Sequence, residues 1–489
     1  MIKKIIVVGG GTSGLVTAML LKNAYPKIKI NVVESSSIDI IGVGEGTTEH
    51  WKEFVNRLKL PQDELFLETD ATIKVGTKFV NWNNDGKSYW HSILNEYSSC
   101  YVNRFPNHYA YVIANNIDPS GMVHEYMDRS IFTPNFVAHQ CHFDTFKLNK
   151  YLHKKASQQG ITFINAKINS VNLATDGCVS SLIDEVGNVL SADFFIDASG
   201  FNRVIMKHLD TKWIDYSKYL PVNRAIAFQT PGVEDINAFT TSTSMKNGWM
   251  WNAPTQKRYG NGYVFCDGYT TSDQAVEEVE AMLGHSINVA KDIKFAAGKL
   301  DKFMKKNCVA VGLSAMFVEP LEASSISSSI QQAFCLVNML TNYSRDNIIV
   351  EKRYNELFDK VFDNIVDFIQ IHYITKRDDT AFWKEKPFEL TDFNKETLPV
   401  FKKSMPTFNF FDNSFTLYRE NNWIMVLYGL GFFNTDSIKK LWEDQPDWLQ
   451  EGVTKDYFDR KNINQNLGIS MLSHRDVIKL VLSGNKNII

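Results

Sequence analysis

Residues 5–8, Ile5-Ile6-Val7-Val8, form a short unbroken apolar run. A strand buried on both faces of a parallel sheet has that pattern. Gly9-Gly10-Gly11-Thr12-Ser13-Gly14 follows, and then residues 15–21, which read as a helix. A second apolar strand over 28–33 ends on Glu34, so the N-terminus predicts a βαβ unit. Apolar runs ending at small residues recur in Asp193-Phe194-Phe195-Ile196-Asp197-Ala198-Ser199-Gly200 and in Cys308-Val309-Ala310-Val311-Gly312. Sheet strands therefore continue at least to residue 312, and the nucleotide-type domain is discontinuous. From about Ser325 the period changes to helical, over 330–341, 352–374 and 438–448. The expected architecture is α/β: a Rossmann-like domain with mixed sheets over 1–340, and a helical substrate-side region over 341–489.

Composition narrows the function. Hydrophobic residues make up 44% and charged residues 22%, the balance of a globular chain, which excludes a disordered or fibrous one. Lys plus Arg is 52 against 55 for Asp plus Glu, so no nucleic-acid footprint covers the surface. The six cysteines form no CxxC pair and the histidines show no ligand spacing, so neither a disulfide frame nor a metal site is expected. The N-terminal apolar run stops at glycines, with no small-residue cleavage site after it. The longest apolar stretch elsewhere, 423–433, is well short of the ~20 residues of a membrane span. A soluble, cytoplasmic protein with no membrane or nucleic-acid partner is expected; a homodimer is open to it. The 13% of aromatic residues suits a pocket for a flat molecule as well as it suits a large aromatic core.

The glycines have separate mechanical uses. Gly9 permits a tight turn, Gly11 lets the backbone approach a pyrophosphate, and Gly14 lets helix and strand pack closely. The helix opened by Thr12 and Ser13 offers N–H groups and partial positive charge to phosphates. Glu34 stands where an acid accepts from ribose hydroxyls and would repel a 2′-phosphate. A second glycine-rich loop, Gly42-Val43-Gly44-Glu45-Gly46-Thr47-Thr48, suits a long cofactor gripped at two places. FAD is therefore expected, with Gly9, Gly11, Thr12, Ser13, Gly14, Glu34, Gly44, Glu45, Gly46 and Asp197 as its contacts. No second GxGxxG is present to hold NAD(P)H, so reducing equivalents would arrive as FADH2 from a separate flavin reductase.

Gly248-Trp249-Met250-Trp251-Asn252-Ala253-Pro254 carries W-x-W-x-x-P. With the N-terminal glycines it resembles the flavin-dependent halogenases of the tryptophan halogenase type. The resemblance runs in order through Lys74-Val75-Gly76-Thr77-Lys78-Phe79-Val80-Asn81-Trp82, His142-Phe143-Asp144, Asp197-Ala198-Ser199-Gly200-Phe201 and Phe317-Val318-Glu319-Pro320-Leu321-Glu322. It continues in residues 367–373, 379–383 and 429–431 and spans nearly the whole chain. It implies that FADH2, O2 and a halide ion yield hypohalous acid, which travels through the interior to a lysine that delivers halogen to an electron-rich aromatic substrate. By position that lysine is Lys74, and the carboxylate that orients it or takes the arenium proton is Glu322. Residue spacing alone leaves Lys78 as a rival, because both lysines could share one face of a strand. Trp249 and Trp251 would share a side of an extended segment; the resemblance makes them a wall that keeps the organic substrate from the flavin.

Three positions depart from the family's pattern. Glu322 is followed by Ala323-Ser324-Ser325 where the family has Ser-Thr-Gly, whose backbone holds chloride. Ser324 and Ser325 remain the expected halide donors, but a serine replaces a glycine that permits positive φ. A preference shifted toward bromide or iodide follows as an expectation. The family's His-Ser-Phe is His91-Ser92-Ile93, so one face of the aromatic sandwich becomes aliphatic, and Tyr418 aligns with its later tryptophan. The family's tyrosine pair and glutamate that hold free tryptophan fall near Pro406-Thr407 and Asn413, which cannot do that work. A small aromatic other than free tryptophan is expected. The alternatives are a flavin monooxygenase or oxidase of the same fold, and a flavin-binding protein without catalysis; retention of Lys74 and Glu322 argues against the second.

Overall fold

The computed structural model describes residues 2–38, 40, 45–92, 104–117, 119, 131–132, 140–344, 348–411, 416–466 and 472–484. Two compact units emerge. The first takes Met1–Asp70, Phe143–Ser217 and Ala296–Phe362; the second takes Ala71–His142, Lys218–Phe295 and Asp363–Ile489. The division does not fall at residue 340, as the change of period suggested. The reason is strand pairing: residues 76–92 pair with strands from 224–294, far away in sequence, and not with the N-terminal sheet. Lys74 therefore belongs to the second unit and Glu322 to the first.

The first unit is built on a six-stranded sheet in the order Met304–Lys305, Cys308–Ala310, Phe194–Asp197, Lys4–Val8, Lys29–Glu34, Thr162–Asn165. Lys4–Val8 lies in parallel between two neighbours, with Val8 level with Asp197 on one side and Val33 on the other. Ile5, Ile6 and Val7 are fully buried, as the unbroken apolar run requires. Helix Thr12–Ala24 follows and is buried from Gly14 through Leu21. It packs on helix Ser324–Leu340, with Tyr25 Oη donating to the Val337 carbonyl. Glu34 and Asp197 end their strands at the edge where helix Thr12–Ala24 begins, the end at which parallel sheets bind ligands.

The second unit is built on a seven-stranded sheet in the order Val289–Lys294, Arg224–Pro231, Arg258–Phe265, Gly248–Pro254, Thr240–Met245, Gly76–Val80, Ser88–Ser92. All its pairings are antiparallel except Gly76–Val80 with Thr240–Met245. Ile226, Phe228, Met250, Tyr263 and Phe265 form a core with Ala275 and Val279 of helix Ser272–Leu283. That helix is set by a Thr271–Gln274 capping box and stopped by Gly284 at φ 75°. Beyond residue 341 the regular elements among the described residues are helices, apart from the two-residue strand Leu472–Ser473. No helix among the described residues is long and apolar enough to cross a membrane.

Candidate active site

The glycine loop shows three different constraints. Gly9 lies at φ 118°, and a Cβ there would sit 2.2 Å from the Ala198 carbonyl oxygen. A Cβ on Gly14 would sit 2.1 Å from Gly9 O, so helix and strand close only on glycine. A Cβ on Gly11 would meet nothing within 4 Å. Gly11 N-caps helix Thr12–Ala24, whose first turn has neither a side-chain cap bond nor an acidic residue. Ser13 Oγ is 2.8 Å from Ser329 Oγ. Glu34 Oε1 is 2.7 Å from His153 Nε2, and the His153 ring stacks on Phe163. The other oxygen, Oε2, lies over Gly10, where a Cβ would come within 1.7 Å of it. An open backbone patch, an uncapped helix start and a carboxylate at the next strand end fit the pyrophosphate and ribose of a dinucleotide. Of the second loop, Gly44 lies outside the described residues and Glu45–Gly46 forms a short strand. Thr48 Oγ1 is hydrogen-bonded to Ser327 Oγ.

Asp197, expected as a cofactor contact, is committed to its own chain. Its carboxylate accepts from the N–H groups of Ser199, Ile205 and Met206 and from the hydroxyls of Ser199 and Ser314. It is fully buried. Its work is to fix the 199–206 turn, a role that a strand-end aspartate does not advertise in sequence.

Glu322 ends the short 3-10 turn Pro320–Glu322 and is buried. The residue in the left-handed region is Ala323, at φ 51°, and not Ser325. Ser324 and Ser325 instead open the 17-residue helix Ser324–Leu340, which has no side-chain cap and no acidic residue in its first turn. The positive φ of this loop thus lies two residues before Ser325. An alanine there costs about 1 kcal/mol that a glycine would not.

In the second unit Lys74 follows strand Thr72–Ile73 and precedes Gly76–Val80. It is only 3% exposed. Its rival Lys78 is half-buried, with its ammonium over the rings of Trp90 and Phe239. The backbone around Lys74 is tied down on both sides: Lys74 N–H donates to Gln140 O and Val75 N–H to Ala238 O. Strand Thr72–Ile73 pairs with His142 and Cys141. Buried His142 is held well below the usual imidazole range by burial first, then by the charge of Lys74. The His-Phe-Asp motif divides its labour. His142 bonds Thr72 and Thr240, Phe143 packs on Trp51, and Asp144 caps helix Thr145–Gln158.

Trp249 and Trp251 lie in strand Gly248–Pro254 with ring centroids 6.2 Å apart on one side, while Met250 faces the opposite core. The Trp251 ring lies against Gly262 of the neighbouring strand, where a Cβ would be 1.9 Å from it. No sequence signal marks Gly262.

A profile of the family described as tryptophan halogenase matches residues 4–446. The chain belongs to the tryptophan halogenase family. A tryptophan 7-halogenase of Kutzneria sp. (strain 744), KtzQ, is 28% identical over 88% of this chain and 90% of its own length. The crystal structure of a tryptophan halogenase from Shewanella frigidimarina NCIMB 400 superimposes with a TM-score of 0.90 at 23% identity, over 99% of this chain and 98% of that one. BrvH, a flavin-dependent halogenase from Brevundimonas sp. BAL3, does so with a TM-score of 0.85 at 25% identity, over 98% and 99%. This halogenase is thus a flavin-dependent oxidoreductase with the Rossmann-like fold of its neighbours.

The halogenase's aromatic cluster differs in detail from a simple sandwich. His91 and Tyr418 are both buried, with centroids 6.2 Å apart and tilted by 52°. The face of Tyr418 is taken by Phe368, stacked at 4.1 Å. His91 Nε2 accepts from Asn422 Nδ2 at 2.9 Å, which fixes the ring. Ile93 and Asn413 lie outside the described residues.

Proposed function

We propose that this halogenase takes FADH2 from a separate flavin reductase and uses O2 and a halide to halogenate a small electron-rich aromatic, an indole or phenol other than free tryptophan. The observation that carries the reading is Lys74: an amine buried to 3% on a backbone held on both sides, at the position of the family's lysine. When bound, reduced FAD with O2 supplies the two-electron oxidation of halide to hypohalous acid. The residues of the glycine loop and Glu34 would hold its pyrophosphate and ribose. Ser324 and Ser325 would hold the halide on the backbone N–H groups of an uncapped helix start, where the dipole favours an anion. Lys74 as ammonium donates a hydrogen bond to the oxygen of hypohalous acid and strengthens the halogen as an electrophile. The aromatic carbon attacks the halogen, the O–X bond breaks, and oxygen leaves as water with the lysine's proton. Glu322, ionised, takes the arenium proton. Trp249 and Trp251 form a wall against the organic substrate. Pro406 and Thr407 offer no charge to an amino-acid carboxylate or ammonium, which supports a substrate without that group. The altered loop at Ala323 supports bromide or iodide over chloride, since both are less strongly hydrated and easier to oxidise.

One assay tests these parts together. The enzyme is incubated with a flavin reductase, NADH, FAD, O2 and equal chloride, bromide and iodide, on indole, phenol and tryptophan. Products are read by isotope pattern in mass spectrometry. Brominated or iodinated indole or phenol is expected, and Lys74→Ala and Glu322→Gln should lower it by about 100-fold or more, the loss seen when an essential acid–base group is removed. Clear chloride preference overturns the halide reading, and preferred tryptophan overturns the substrate reading. Hydroxylated products mark a monooxygenase. Halogenation that survives Lys74→Ala but is abolished by catalase marks uncatalysed chemistry from released peroxide.

A further inference from the structure

We propose that His474 is a positioning residue for Lys74. The inference rests on the reading that Lys74 delivers the halogen. His474 lies beyond residue 446, where the match to the family profile ends. It opens helix His474–Leu482 and is 2% exposed. Its Nε2 accepts from the N–H of Ile73 at 2.9 Å, and its Nδ1 donates to Ile236 O at 3.0 Å. A backbone N–H only donates and a carbonyl only accepts, so these partners fix a neutral ring with its proton on Nδ1.

The bond to Ile73 completes a set. Three successive N–H groups, on Ile73, Lys74 and Val75, are held by three separate parts of the chain: His474, Gln140 O and Ala238 O. The helix that brings His474 is itself fastened to the 233–236 segment, because Arg475 donates from Nε to Glu234 O and from Nη2 to Val233 O. On the other side Thr72 Oγ1 donates to Pro254 O at 2.6 Å. Thr72 therefore accepts from His142 Nδ1, and His142 Nε2 accepts from Thr240. Two neutral imidazoles thus brace the residues just before Lys74. A buried amine that must meet a small oxidant tolerates little displacement, since reactivity falls steeply with misplacement of about 1 Å. His474 does for the backbone of Lys74 what supporting shells do for catalytic side chains.

His474→Phe fills the space and removes both hydrogen bonds; His474→Gln restores an acceptor for Ile73 N–H. The full-length enzyme is compared by hydrogen–deuterium exchange and by brominated phenol or indole formed per FADH2 oxidised. In His474→Phe, exchange of the amides at 73–75 should rise by about tenfold or more, while strand Arg258–Phe265 keeps its protection. Product per flavin oxidised should fall by about fivefold or more, with the rate of flavin oxidation unchanged, because only delivery is disturbed. His474→Gln should return both to within about twofold of the parent, as one restored acceptor allows. Unchanged exchange at 73–75 overturns the proposal, as does unchanged product yield or loss of protection throughout the sheet. Should Lys74→Ala brominate as well as the parent, the role of Lys74 falls and the positioning role with it, whereas a failure confined to His474→Phe leaves Lys74 standing.

Discussion

Four glycines in six residues look interchangeable in the sequence, but their surroundings separate them. Gly9 and Gly14 are required by the fold, since a Cβ on either would strike backbone oxygen. Gly10 leaves room for a side chain, the carboxylate of Glu34 lying over it. Gly11 has open space and an ordinary φ of −72°, so the protein alone has no need of a glycine there. On the proposed reading, what needs it is the approach of a ligand to the backbone. Gly11→Ala should therefore leave the melting temperature unchanged and weaken FAD binding by about tenfold or more, the scale of a lost close backbone contact to a pyrophosphate. Gly14→Ala should instead destabilise the apoprotein by roughly 1–3 kcal/mol, the usual cost of overpacking. Flavin fluorescence titration and thermal melts of the two variants check this, and Gly11→Ala binding FAD as the parent does would remove the pyrophosphate from this loop. Gly9 and Gly14 can be assigned from motif logic. The job of Gly10 cannot, because it depends on where a distant side chain points.

The same contrast holds for whole elements. That Trp249 and Trp251 share a side follows from the two-residue period of a strand and is legible in the amino-acid sequence. What holds Trp251 is cross-strand register, Trp251 opposite Gly262 in the hairpin of Gly248–Pro254 with Arg258–Phe265, and residue types alone do not fix that register. No left-handed φ is needed at Gly262, and the nearest obstacle to an alanine there is the indole. Gly262→Ala should push the ring aside, change the tryptophan emission and cost roughly 1–3 kcal/mol. Adding Trp251→Ala should recover most of that loss, because the two changes share one contact. A single variant with parental emission and melting would show that Trp251 is not held by Gly262. Helices are legible where their period is long. Helix Ile348–Ile371 takes most of the expected 352–374 and stops before His372, whose ring packs on Phe79 and Trp82. The second sheet is hard to read in sequence beyond its tryptophan strand, because Arg258–Phe265 is buried along nearly its whole length without alternation and Gly76–Val80 pairs with Thr240–Met245, far away in the chain.

At the scale of the molecule, the buried titratable groups make stability depend on pH in a direction that can be worked out. Burial pushes His50 and His474 down to about 4, and His142 falls well below its usual range. Their unfolded forms bind protons below about 6.5. Between pH 6.5 and 4.5 the unfolded chain thus takes up protons at three histidines that the folded chain refuses, and stability falls as pH falls. Asp367 opposes this. Burial, its largest influence, lifts it to about 7 despite a hydrogen bond from Thr391, and Asp363 and Asp392 add to the rise. Over the same window the folded chain holds a proton there that the unfolded carboxyl has released. Three groups against one leave a net uptake of two protons on unfolding, a slope of roughly 2–3 kcal/mol per pH unit once the histidines titrate. Urea midpoints from pH 4.5 to 8 should show that loss toward acid. Asp367→Asn should be more stable than the parent at pH 8, with the gap closing by about 1.4 kcal/mol per pH unit toward acid and vanishing only below about pH 4, which steepens the acid decline. His474→Gln should make the decline shallower by about one proton's worth, roughly 1.4 kcal/mol per pH unit. The two variants move the slope in opposite directions, so general destabilisation cannot imitate both. A flat profile in the parent, or parallel profiles in the variants, would mean that these four groups do not govern the acid limit.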